Sequence, residues 1–176
     1  MCRNRMGPRG ALCAAATVFW ASGCESPTKV DTHALLTDGT HFQLRVARLS
    51  QGEVYAADIP YTFTNRTGSM VFLYNCHGGF DRRLEMQHAG GWKEIWSSAF
   101  CLLLHSDIAI KPDEVYADTA SPLISPDTLV PPPHASTQFR IVWHAAHFAE
   151  GEDGGKELIP LEERVSNPFT LALPRE

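Results

Sequence analysis

Apolar and polar residues alternate with a period of two along much of the chain. Phe42, Leu44 and Val46 alternate with Gln43 and Arg45, and Ile59, Tyr61 and Phe63 alternate with Pro60, Thr62 and Thr64. Successive strand side chains point to opposite faces, so this spacing predicts half-buried β-strands. Met70-Val71-Phe72-Leu73-Tyr74 is apolar without interruption, as expected of a strand near the centre of a sheet. Leu84-Glu85-Met86-Gln87-His88 and Trp92-Lys93-Glu94-Ile95-Trp96 flank Ala89-Gly90-Gly91, which predicts a hairpin. Further strands are expected at 114–118, 139–143 and 169–173. No segment keeps a helical period over three turns, and no internal repeat is present. The proline-rich stretches 121–126 and 131–133 read as extended connectors that disfavour central strands. The glycine-rich acidic stretch 150–155 reads as a solvated hairpin tip. The expected fold class is all-β, an antiparallel β-sandwich.

Residues 1–24 break this pattern. Arg3, Arg5 and Arg9 give a basic start without an acidic residue, and the apolar run from Ala11 to Trp20 follows. That run fits an export signal and is too short to remain as a spanning helix. It leads into Ala21-Ser22-Gly23-Cys24, which resembles the lipobox of bacterial lipoproteins. The resemblance implies that residues 1–23 are cleaved as a signal peptide and that the Cys24 thiol carries a diacylglyceryl group. Each buried methylene contributes about 0.8 kcal/mol, so two or more chains hold a protein at a membrane. An ordinary secretory signal with a chance Cys is the alternative reading. Glu25 leaves the choice between inner and outer membrane open. Residues 24–40 are then the acylated Cys and a polar, Pro-containing tether that becomes ordered near its end. The sandwich domain is expected over 41–176.

Charge sharpens this picture. The chain carries 15 Lys+Arg against 20 Asp+Glu, a net −5, which argues against a nucleic-acid partner. Removing residues 1–23 takes away three Arg and no acid, leaving 12 against 20, or −8. Such a domain has no affinity of its own for anionic headgroups, so the expected partner is the membrane through the Cys24 anchor.

With Cys2 and Cys13 in the signal and Cys24 acylated, Cys76 and Cys101 remain of the five cysteines. An oxidising compartment makes a disulfide between them the expected state, closing a loop of about 25 residues that contributes about 3–4 kcal/mol. Two separate thiols are a second reading. A zinc site with His77 and His105 is a third, although the paired Cys-x-x-Cys framework is missing.

Catalytic signatures are absent: there is no Gly-x-Ser-x-Gly, Walker loop, Gly-x-Gly-x-x-Gly or His-Glu-x-x-His. His144 and His147 converge only if the chain turns at Ala145-Ala146. Asn65-Arg66-Thr67 fits a glycosylation sequon, which is silent in a bacterial lipoprotein. No cofactor, metal or enzymatic activity is expected.

The order of Phe63-Thr64-Asn65-Arg66-Thr67, Cys76, Leu84-Glu85, Gly91-Trp92, Cys101, Ile110-Lys111-Pro112-Asp113-Glu114, Phe139-Arg140-Ile141 and Ser166-Asn167-Pro168-Phe169 resembles bacterial lipoproteins with an immunoglobulin-like domain. The likeness runs from Ile59 to Leu173. Members commonly place Gly in the turn where this chain has Asp113. A more distant similarity is to immunoglobulin-like bacterial proteinase inhibitors. The resemblance implies an immunoglobulin-like antiparallel β-sandwich and brings no catalytic residues. The expected function is a non-catalytic binding or structural module of the cell envelope. The alternatives are an envelope proteinase inhibitor using a loop at 102–106 or 121–133, or a hydrolytic or metal-binding domain using His77, His105, His144 and His147.

Overall fold

The structure, a computed structural model, describes residues 33–76, 79–98, 105–143, 146–148 and 157–174. In chain order its strands are β1 (Leu35–Thr37), β2 (His41–Gln43), β3 (Arg45–Leu49), β4 (Gly52–Ala56), β5 (Ile59–Thr64), β6 (Val71–Cys76), β7 (Gly79–Phe80) and β8 (Arg82–His88). They continue as β9 (Gly91–Ser97), β10 (His105–Ile110), β11 (Val115–Ala120), β12 (Leu123–Ile124), β13 (Gln138–Trp143), β14 (Ala146–Phe148) and β15 (Phe169–Ala172). The helical elements among the described residues are two short 3₁₀ turns, Pro126–Thr128 and Leu161–Glu163. The protein is therefore nearly all β.

The strands form four sheets, ordered β1-β5-β11, β10-β6-β14 with β7 on β6, β12-β4-β3, and β2-β15-β13-β8-β9. Pairing is antiparallel except between β2 and β15, which run parallel. The inward positions expected from the alternation hold in β5, where Ile59, Tyr61 and Phe63 are buried. Pro60 is tolerated inside this middle strand because of how β1 ends. The N and carbonyl O of one strand residue face the same neighbour, and the Pro60 oxygen accepts from Asp38 N at 3.0 Å, just beyond β1. The missing donor therefore falls where the neighbouring strand has already stopped.

Val71 and Leu73 are buried in β6, which is the middle strand its unbroken apolar run predicts. The hairpin of β8 and β9 turns at Ala89-Gly90, with Gly91 at φ 131° where a side chain would be strained. A register shift between Leu84 and Glu85 marks a bulge.

Trp143 of β13 joins the five-stranded sheet to the β1-β5-β11 sheet. Its ring centroid lies 4.6 Å from Phe63, 5.9 Å from Tyr61 and 6.5 Å from Tyr116. Phe139 and Phe169 stack at 6.3 Å, and Phe42 meets Phe169 edge-on at 5.3 Å. Burying an aromatic of this kind contributes several kcal/mol, and such truncations to Ala cost about 3–5 kcal/mol.

Two expectations change. The run from Phe42 to Val46 is not one alternating strand: Leu44 is buried, whereas Val46 is 50% exposed. The chain changes sheets at Leu44, whose N donates to Ala172 O, so the faces on either side of it are set by different neighbours. Near the end of the segment expected as a tether, β1 pairs with β5 and Leu35 is fully buried. The 121–126 stretch is more than a connector: it contains β12, which pairs with β4 as an edge strand, and it inserts Ile124 into the core.

Candidate functional site

Four buried polar clusters concentrate the chemistry of the described residues. At the first, Asn65 is fully buried in the turn after β5. Its Nδ2 donates to Ser69 O at 2.7 Å and Ile110 O at 2.9 Å. Its Oδ1 accepts from Thr67 N at 3.1 Å and Thr67 Oγ1 at 2.7 Å. Two amide donors and two lone pairs are thereby satisfied, and Gly68 supplies the left-handed residue at φ 74°. Nδ2 thus ties the turn after β5 to the end of β10, which belongs to another sheet. Facing it, Glu114 Oε2 accepts from Lys111 N at 2.8 Å, and Asp113 takes φ 62°. The left-handed position of this turn is taken by Asp, one of the residue types that tolerates this region best.

The second cluster centres on Arg82. Its alternation with Leu84 and Met86 points it inward, so it is nearly buried. One guanidinium nitrogen donates to Tyr61 Oη at 2.7 Å and to Asp118 Oδ2; the other donates to Thr119 O at 3.0 Å. Tyr61 Oη also donates to Asp118 Oδ2 at 3.1 Å. Burial pushes the Tyr61 phenol well above its ordinary range. Burial, with the Asp118 carboxylate beside it, pushes Tyr116 up to about 12. Both phenols stay protonated at neutral pH, so neither serves as a base there. The cluster is an ion pair linking β5, β8 and β11. Sequence reasoning missed it, although a cation at an apolar-face position was the available signal.

The third lies on the opposite face of the same sheet. Glu85, 6% exposed, sits opposite Arg140 in register. Arg140 Nε donates to Glu85 Oε2 at 2.7 Å, and Arg83 Nε lies 2.9 Å from Oε1. Arg140 also stacks over the Trp92 ring at 4.2 Å. Two guanidinium groups thus face one buried carboxylate.

The fourth joins the two ends of the domain. Ile141 N donates to Ser166 Oγ at 2.9 Å, Ser166 Oγ donates to Asn167 O at 2.8 Å, and Asn167 Oδ1 accepts from Thr37 N at 2.7 Å.

Cys24, His77, Cys101 and His144 lie outside the described residues. Cys76 ends β6 and His105 opens β10; those strands pair in a register that sets the two residues opposite each other. His147 is buried in β14. Its ring stacks on Phe72 at 5.9 Å, and its Nε2 is 3.6 Å from Asp107 Oδ2. Among the described residues, no group of three or more His, Cys, Asp or Glu is placed to hold a metal ion. Of the two loops expected for an inhibitor, 121–133 is tied down by Ile124, Leu129 and a 3.4 Å hydrogen bond from Lys93 Nζ to Thr128 O. In the other, Ser106 is already part of β10, and residues 102–104 lie outside the described residues.

No protein-family model and no curated protein matches the chain. A solved structure, titled as the crystal structure of a protein from Archaeoglobus fulgidus, is similar at 10% identity, covering 78% of this chain and 99% of that one with a TM-score of 0.35.

Proposed function

We propose that the chain is a bacterial lipoprotein, anchored through acyl chains on Cys24, whose exported domain is a non-catalytic binding or structural module of the cell envelope. The observation that carries this reading is the order of a basic start, a short apolar run and Ala21-Ser22-Gly23-Cys24. Each step in that order meets a separate requirement of export, cleavage and acylation. The domain charge of −8 (12 Lys+Arg against 20 Asp+Glu after residue 23) adds to it, because acyl chains rather than basic patches must then hold the protein at an anionic membrane.

The finer fold reading is an immunoglobulin-like sandwich. Its support is the grouping of β1, β5 and β11 in one sheet and β8, β13 and β15 in another, which matches the A-B-E and C-F-G strands of that architecture. The buried tryptophan between the sheets sits on β13, whereas antibody domains carry theirs on the strand equivalent to β8. The internal pairing of Arg82, Glu85, Asn65 and Asn167 favours a module that offers its surface over one that transforms a substrate.

Fractionation of cells expressing the full chain tests the anchor. The wild type is expected in the membrane pellet and resistant to high salt. Cys24→Ala is expected to leave the pellet or to persist as an uncleaved precursor of higher mass. A Cys24→Ala protein that is cleaved like the wild type and still pellets overturns the proposal.

A further inference from the structure

We draw no further inference here: the strongest candidate, the groove of about 220 Å³ between the β8–β9 hairpin and the loop 131–137, lined in part by His88 and His134, carries nothing because nothing in the structure shows what covers it.

Discussion

Thr37 N donates to Asn167 Oδ1 at 2.7 Å, joining residues 130 positions apart at the two ends of the domain. Thr37 Oγ1 reaches the same oxygen at 3.2 Å and donates to Gly39 O at 2.7 Å. The first strand is thereby fastened to the chain just before the last strand. A buried amide left without an acceptor costs about 1–3 kcal/mol. Asn167→Leu is expected to lower the unfolding free energy by about that amount in urea denaturation, while Asn167→Asp, which keeps the acceptor, loses less. Equal losses for the two variants would show that the hydrogen bond is not the cause.

Arg82 and Asp118 form a pair whose two halves should not be removed singly. Breaking a buried ion pair strands the remaining charge and costs about 3–5 kcal/mol, somewhat less here because Asp118 keeps 30% of its side-chain surface in water. Arg82→Met and Asp118→Asn are each expected to destabilise. The double variant should be less destabilised than the sum of the two single variants. Additive losses in a double-mutant cycle would mean that the two side chains are energetically independent.

Alkaline pH should weaken the fold through Tyr61 and Tyr116. Their native pKa values are raised, from 10.0 to about 12 for Tyr116 and further for Tyr61. Below pH 10 both phenols are protonated in the native and unfolded chains, and stability does not depend on them. Above pH 10 the unfolded chain releases protons that the native chain keeps, so stability falls as the pH rises towards 12 and beyond. Denaturation midpoints between pH 8 and 11 should fall at the upper end. The Tyr61→Phe, Tyr116→Phe double variant should decline less steeply over the same interval; an identical slope would contradict the assignment.

Asp113 holds a left-handed conformation at φ 62° that glycine adopts without a Cβ penalty. Asp113→Gly is expected to raise stability by about 0.5–1 kcal/mol, and Asp113→Val to lower it by more than that. Thermal unfolding separates the outcomes. A glycine variant that melts well below the wild type would mean that the Asp side chain contributes something beyond the turn.

Much of this architecture was legible where one neighbour dictates a strand's faces. The alternation in β5, the unbroken run in β6 and the Gly-containing hairpin of β8 and β9 each report a single burial environment, and the structure agrees with all three. Legibility failed where the environment changes within a few residues. Leu44 sits at a switch between sheets, so the periodicity on its two sides belongs to different neighbours. β3 and β4 form a hairpin with both faces largely solvated, exposing Val46 and Leu49, and burial therefore imposes no alternation there. Ile124 was hidden by surrounding prolines, which read as extended connector. Arg82 was hidden by its charge, although its register with Leu84 and Met86 placed it inward. The polar clusters lay beyond periodicity altogether, since Asn167 meets Thr37 only after the chain has closed on itself.

The lipid anchor is tested most directly by intact-mass and N-terminal peptide mass spectrometry of the protein purified from bacterial membranes. A mature chain beginning at Cys24, carrying the added mass of a diacylglyceryl group and fatty acyl chains, is the expected result. A chain that retains residues 1–23, or one that begins at or after Cys24 without an acyl adduct, would contradict the proposal.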